Sequence, residues 1–274
     1  MTRYRLAGRR RPVELAGRTV LVTGASSGIG AATARRVSAA GATTILVARR
    51  ADQLEAAAAG LEHAHVHPAD LTDADAVADL VARVTADHGG VDFLVNNAGR
   101  SIRRSLALST DRFHDVERTM AINFFAPVRL TLALLPGMRE RGFGHVVNVL
   151  SWGVQLRAPK FSAYLASKSA LDTWSRVAAR ETLADGVTFT NMRLGAVRTP
   201  MLVPTGGAED RRQLDVDEAA ALVERALRER PVTVNHPLGT PGELLTVLAP
   251  RLSDAGMNRL HRRTPDTAAA RGTR

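Results

Sequence analysis

Short, β-branched apolar runs alternate along this chain with longer alanine-rich stretches of helical period. Thr19–Thr23 (TVLVT) ends at a glycine and reads as a buried strand, and residues 31–40 follow as an alanine-rich helix closed by Gly41. The same reading predicts strands over 43–48, 63–67, 91–95, 145–150 and 187–192. Helices are predicted over 51–59, 73–88, 111–135 and 162–184. Strand and helix alternate throughout, and neighbouring parallel strands need such crossovers. The expected fold is therefore α/β, a doubly wound parallel sheet with helices on both faces, in a single domain. No internal repeat or linker interrupts it. The expected boundaries are a basic arm over 1–16, the domain over 17–256 with a flap near 195–216, and a polar, patternless tail over 257–274.

The 274 residues are 45% hydrophobic and 23% charged, an ordinary globular balance. There is no cysteine, which excludes disulfide scaffolds, thiolate nucleophiles and Cys-based zinc sites. No uninterrupted apolar run reaches the roughly 18 residues of a membrane span. The basic N-terminus also lacks the apolar stretch of a secretory signal, so a cytoplasmic location is expected. A formal charge of +10 invites a nucleic-acid or anionic-membrane reading. The excess sits at the ends: residues 1–18 carry a net +5, residues 251–274 a net +4, and the body between them +1. A near-neutral body argues against a nucleic-acid partner.

Between the first strand and the first helix lies Thr23-Gly24-Ala25-Ser26-Ser27-Gly28-Ile29-Gly30, with GxxxGxG spacing. Glycines there let backbone approach a pyrophosphate whose charge meets the helix N-terminus. The strand–turn–helix context gives this Rossmann-type fingerprint weight beyond that of a plain Gly-Ser loop. The second strand ends Ala48-Arg49-Arg50. A carboxylate at that place bonds a ribose 2′-hydroxyl, whereas arginine suits a 2′-phosphate. NADP(H) is therefore favoured over NAD(H), with Arg49 as the discriminating residue; solvation of a helix start is the plainer role for Arg49 and Arg50.

Tyr164 and Lys168 stand four apart in the predicted helix 162–184 and share one face. Lys160 and Lys168 are the only lysines. Ser151 ends the fifth predicted strand, the edge at which ligands bind in such sheets. A nearby ammonium and a cationic nicotinamide would favour phenolate and lower the Tyr164 pKa, while Ser151 bonds a substrate oxygen. Asn123 precedes Pro127 by four residues. Proline has no N–H, so the Asn123 carbonyl loses its intrahelical partner and is free to hold a water near Lys168.

Thr23–Gly30, Asp70, Asn96-Asn97-Ala98-Gly99, Asn123, Ser151 and Tyr164-Leu165-Ala166-Ser167-Lys168, in this order, resemble the single-domain YxxxK branch of the short-chain dehydrogenase/reductase family. The resemblance covers about residues 17–200 and implies an oxidoreductase acting on carbonyls or alcohols. It assigns general acid/base work to Tyr164, ribose contact to Lys168, carbonyl orientation to Ser151 and the proton-relay water to Asn123. It further implies cofactor contacts at Gly24, Ser26, Ser27, Gly28, Ile29, Gly30, Arg49, Asp70, Leu71, Asn97, Ala98, Gly99, Val197 and Thr199. Relatives pair as homodimers or homotetramers through the helices that carry Asn123 and Tyr164. The proline common in the family after the sixth strand is missing from Leu194–Pro200.

Val197-Arg198-Thr199-Pro200-Met201, Arg230-Pro231, Leu238-Gly239-Thr240 and Gly242-Glu243 depart from the family's usual glycine-rich ending, and this stretch is similar to actinobacterial short-chain reductases of lipid metabolism. Met201 and Leu202, with Trp152 and Phe161 beside the catalytic pair, are the candidate lining of an apolar substrate pocket. An acyl-type aldehyde or ketone is favoured; a steroid-like or aromatic substrate with NAD, or a dinucleotide binder without turnover, are the alternatives. The basic ends are expected to solubilise the chain, or to draw it weakly to anionic membrane or an acidic acyl carrier.

Overall fold

The computed structural model describes residues 4–205 and 213–272. Eight strands form one sheet in the order β1-β8-β7-β6-β5-β2-β3-β4. In chain order these are β1 Arg5–Ala7, β2 Thr19–Thr23, β3 Thr43–Ala48, β4 Ala64–Pro68, β5 Phe93–Asn96, β6 Gly144–Ser151, β7 Val187–Leu194 and β8 Thr233–Asn235. All neighbours are parallel except β1, which pairs antiparallel with β8. The helices are α1 Gly28–Ala39, α2 Ala51–Ala58, α3 Ala74–His88, α4 Phe113–Met120, α5 Ala126–Glu140, α6 Gly153–Leu156, α7 Ser162–Glu181, α8 Val216–Glu229, α9 Gly239–Leu248, α10 Pro250–Arg263 and α11 Ala268–Gly272.

Alternate residues of each strand enter opposite cores, as a period of two requires. Val20, Val22, Phe93 and Met192 meet Ala34 and Val37 of α1, Leu54 of α2 and Val223 and Leu227 of α8. Leu21, Ile45, Leu94 and Val146 meet Val77, Leu80 and Val84 of α3 and Leu130, Leu134 and Met138 of α5. The expected doubly wound sheet is present, and it is wider than the periodicity indicated. The arm expected over 1–16 is part of it: β1 adds an edge strand and Leu15 is fully buried.

The stretch expected to be a patternless tail is also ordered. It holds the end of α10 and all of α11. Ser105 donates from its backbone N and its Oγ to the Asp266 carboxylate at 3.1 and 2.7 Å. Arg104 Nε donates to the Ala270 carbonyl at 3.0 Å, and Lys160 Nζ donates to the Thr264 carbonyl. Polar residues that looked solvated are in fact the fasteners.

Residues 113–140 form one continuous helical rod interrupted by a π-helical turn at Ala121–Phe125. Ala126 N donates to the Ala121 carbonyl across that turn. Pro127 has no N–H to give the Asn123 carbonyl, and the helix takes a π turn here where a simple kink was the other outcome. By length and composition the rod could cross a membrane, yet Ala126, Leu130, Leu134 and Met138 bury their side chains against the sheet.

Candidate active site

A cavity of about 860 Å³ opens along the C-terminal ends of the parallel strands. One end is formed by the turn after β2. Ser27 gives α1 no side-chain cap, and no acidic residue stands in the first turn. The N-terminal amides and the positive end of the helix dipole are thus left for an anion at a wall made by Ser26, Ser27, Gly28 and Ile29. Gly24 has φ +64° and a Cβ there would lie 2.9 Å from Ala98 Cα, so only glycine lets the two turns meet. Gly30 does not reach the cavity; it packs beneath the Gly24 carbonyl.

Thr23 and Asn97 lock this end. Thr23 Oγ1 accepts from the backbone N of Asn97 and of Ala98, each at 3.0 Å, and donates to the Val95 carbonyl at 3.1 Å. Asn97 Nδ2 donates to the carbonyls of Thr23 and Gly24 at 3.0 and 3.3 Å. Arg49 and Arg50 line the cavity where β3 ends, and among the described residues neither has an ion-pair partner. Asp70 and Leu71 line it beside them. Asp70 accepts from Thr72 N and Oγ1 at 2.9 and 2.7 Å, and the backbone bond holds its carboxyl below the usual range, helped by Arg49. The uncapped helix end, the glycine cradle and the Arg49 guanidinium are a donor set that fits a dinucleotide bearing a 2′-phosphate.

Ser151, Tyr164 and Lys168 line the opposite end. The Ser151 and Tyr164 hydroxyls are hydrogen-bonded, and Ser151 Oγ accepts from Gly153 N at 3.1 Å. Lys168 Nζ donates to the Val149 carbonyl at 2.9 Å. The expected lowering of the tyrosine pKa is not what the protein alone produces. Burial pushes the Tyr164 phenol up to about 12, with the Ser151 bond acting against it. Burial also lowers the Lys168 ammonium to about 8. Both shifts favour neutral side chains, because desolvation penalises whichever form is charged.

Asn123 is buried and does not line the cavity. Its Oδ1 accepts from Arg100 N and its Nδ2 donates to the Arg100 carbonyl, both at 2.8 Å. Nδ2 also donates to Ser167 Oγ at 3.0 Å, and Ser167 Oγ donates to the Tyr164 carbonyl at 2.7 Å. The side chain thus ties the segment after β5 to the helix of Tyr164. A Cβ at Gly99 would lie 2.9 Å from Asn123 Oδ1 and 3.4 Å from Lys168 Nζ, so these groups flank one glycine.

Trp152, Phe161, Val197, Thr199, Met201 and Leu202 all line the cavity, as do Asn97, Ala98 and Gly99. Residues 206–212 of the expected flap lie outside the described residues. Its two ends are zipped together by Leu214 N to the Ala196 carbonyl at 2.9 Å and Arg198 N to the Leu214 carbonyl at 3.0 Å. Motif reading missed several participants. Arg100 and Arg118 line the cavity. Tyr4 Oη accepts from Gly195 N at 2.8 Å, and His236 stacks on Trp152 at 4.2 Å. No local signal marks Tyr4 or His236, since they flank the short strands β1 and β8, which periodicity does not reveal.

A buried asparagine ladder lies behind the site. Asn96, Asn148 and Asn191 are in register on β5, β6 and β7. Asn96 Nδ2 donates to Asn148 Oδ1 at 3.0 Å, and Asn148 Nδ2 to Asn191 Oδ1 at 3.1 Å. Asn191 Oδ1 also accepts from Ser175 Oγ at 2.8 Å, and its Nδ2 donates to Asp172 Oδ1 at 2.8 Å, so the ladder ends on α7.

Comparison with known proteins agrees with this geometry. The short chain dehydrogenase family profile matches residues 18–210. An oxidoreductase of Mycobacterium tuberculosis is 46% identical over 264 residues, covering 94% of this chain and 77% of its own. A fatty acyl-CoA reductase of Acinetobacter baylyi is 43% identical over 260 residues, covering 93% and 88%. Among solved structures, a short-chain dehydrogenase from Streptomyces avermitilis superposes with a TM-score of 0.76 at 33% identity, covering 92% of this chain and 100% of its own. A metagenomic short-chain oxidoreductase in complex with NADP has a TM-score of 0.67 at 32% identity, covering 78% and 92%. With glycine turn, Ser151, Tyr164 and Lys168 on one cavity and the family profile over most of the sheet, this chain belongs to the short-chain dehydrogenase/reductase family of oxidoreductases.

Proposed function

We propose that this oxidoreductase uses NADP(H) to interconvert a hydrophobic, acyl-type aldehyde or ketone and its alcohol. The observation that carries the reading is one cavity with a glycine cradle and Arg49 at one end and Ser151, Tyr164 and Lys168 at the other. When bound, the nicotinamide exchanges hydride with the carbonyl carbon. Ser151 donates to the carbonyl oxygen as charge gathers there. Tyr164 gives that oxygen its proton from the phenol hydroxyl. A phenol is protonated at neutral pH, and burial holds Tyr164 more firmly in that form, which suits the reducing direction. Lys168 Nζ and Asn123 Oδ1 both flank Gly99, in keeping with a proton path from Tyr164 past Lys168 to a water on the Asn123 carbonyl.

Arg49 would hold the 2′-phosphate and the amides at Ser27–Ile29 the pyrophosphate, with Asp70 and Leu71 beside the adenine and Val197 and Thr199 beside the carboxamide. Trp152, Met201 and Leu202 would receive the apolar part of the substrate, in keeping with the fatty acyl-CoA reductase among the relatives. Pairing into a homodimer or homotetramer is supported by exposed Phe113, Phe125, Leu132 and Val177 on α4, the π turn, α5 and α7. A cytoplasmic location remains part of this proposal. Tyr164→Phe tests the mechanism: turnover of an aldehyde should fall by at least about a thousandfold with NADPH binding unchanged. Near-normal turnover would overturn it.

A further inference from the structure

The apolar surface that remains without a role lies at the other side of the site, on α9 and α10. Opposite its buried Thr246, α9 presents Leu244, Leu245, Val247 and Leu248, the last 79% exposed. Leu252, 66% exposed, continues the row onto α10. The one charge on α9, Glu243, is turned aside: its carboxylate accepts from Gln155 Nε2 at 2.8 Å. Along the outer face of α10 run Arg251, Arg259, Arg262 and Arg263, all exposed. Among the described residues none of these four guanidiniums has a carboxylate within ion-pair distance. Arg259, Arg262 and Arg263 share one surface hollow with Asn258 and Ala255.

A row of leucines bordered by exposed arginines is the composition of a helix pair lying in a lipid interface, its apolar side chains in the acyl boundary and its cations among headgroups. We propose that the α9–α10 corner docks this protein on an anionic phospholipid surface. The inference deepens the acyl-substrate reading and rests on it for its purpose, but its test does not use turnover. A second copy of the chain fits this face poorly. A twofold contact would set these arginines against themselves, with Asp254 the only acid on α10. The N-terminal arm is a weaker candidate, because Arg9 pairs with Glu229 and its apolar residues Tyr4, Leu6 and Val13 pack against the core.

The position also suits the substrate. α9 packs on α6, where Gly239 and Gly242 let it close on Gln155 and Leu156. The α6 turn directly follows Ser151 and Trp152. A docked α9 would therefore place the Ser151 side of the cavity next to the bilayer, where an acyl chain is dissolved.

The test is co-sedimentation of the full-length protein with phosphatidylcholine vesicles, plain or with about one third phosphatidylglycerol, at low and high salt. Binding should require the anionic lipid and weaken with salt. Leu244→Ser with Leu248→Ser should cut the partition at least about tenfold, and Arg259→Gln, Arg262→Gln and Arg263→Gln together by about tenfold to a hundredfold. These side chains are exposed, so turnover of a short, soluble aldehyde should not change. Tyr164→Phe should bind vesicles as the unaltered protein does, which separates docking from catalysis. Absence of binding to anionic vesicles, or binding that survives the leucine pair's replacement, would overturn the proposal. So would a leucine-pair variant that loses mass in light scattering, which would make the face a contact between copies. Capture of an acidic acyl carrier protein with no vesicle binding would overturn it as well.

Discussion

Lys168→Met should make the protein more stable at neutral pH while abolishing its activity, and the size of the gain should depend on pH in a defined way. Lys168 is 5% exposed, and burial takes its ammonium from 10.5 down to about 8. At pH 7 folding must therefore carry a charge that the interior disfavours, at a penalty of about 3 kcal/mol. Methionine fills similar space without the charge. It also removes the donor that Lys168 Nζ supplies to the Val149 carbonyl at 2.9 Å, which costs about 1–3 kcal/mol. The net expectation at pH 7 is a gain of about 0–2 kcal/mol. Because the folded pKa lies below the unfolded one, the native state sheds its proton first. The penalty is complete below about pH 8 and disappears as pH rises toward 10.5, so wild-type stability climbs across that window. The variant has no such climb, and near pH 10.5 it should be the less stable protein by about 1–3 kcal/mol. Urea unfolding of both proteins without cofactor, at several pH values from 7 to about 10, reads the difference directly. A difference that stays constant with pH would refute the burial argument for Lys168.

Arg49→Ala should weaken NADPH by about tenfold to a hundredfold, the worth of a charge-assisted bond to phosphate, and leave NADH nearly unchanged. Fluorescence titration with each cofactor checks this, and equal losses would refute the 2′-phosphate assignment. Asn148→Ala removes the acceptor of Asn96 and the donor to Asn191 at once, in a buried ladder. A loss of about 2–4 kcal/mol is expected in denaturant unfolding, and a loss under about 1 kcal/mol would mean that the ladder re-pairs without it.

The sheet's centre was legible because β2, β3, β5, β6 and β7 are buried on both faces and read as apolar runs between alanine-rich helices. The edge at β1 was not. β1 and its neighbour β8 are three residues each, too short for a period of two to register, and β1 is a strand only through its antiparallel pairing with β8. The end after residue 256 looked unstructured because its signal is polar: Asp266 and the Ala270 carbonyl find their partners at Ser105 and Arg104, more than 150 residues away. Nearly all the motif residues do converge on one cavity, since GxxxGxG and the i,i+4 spacing of Tyr164 and Lys168 encode local geometry. Asn123 is the instructive exception. Its helix position and Pro127 were readable, but the clamp on Arg100 and Ser167 depends on the β5 turn and α7 meeting, which no local pattern states.

That clamp and the asparagine ladder divide the labour within the site. The wall that carries Tyr164 and Lys168 is held by buried polar bonds on several sides. Asn123 binds Ser167, Ser175 and Asp172 bind Asn191, and the Arg193 guanidinium pairs with Asp172 at 2.7 Å. All of these fasten α7, so Tyr164 and Lys168 stand on an element whose displacement would strand several buried donors at once. The wall of Met201 and Leu202 is different: Met201 is 43% exposed, and the segments on either side of residues 206–212 are joined by two backbone bonds between Ala196, Arg198 and Leu214. Burial on one wall fixes the reacting groups at the expense of their charged forms, as the shifts at Tyr164 and Lys168 record. Exposure on the other leaves chain length and shape of the substrate to be set by few contacts. Substitutions at Met201 or Leu202 should therefore move KM among aldehydes of different length with little change in stability, whereas substitutions along the ladder should lower stability before they change which substrate is preferred.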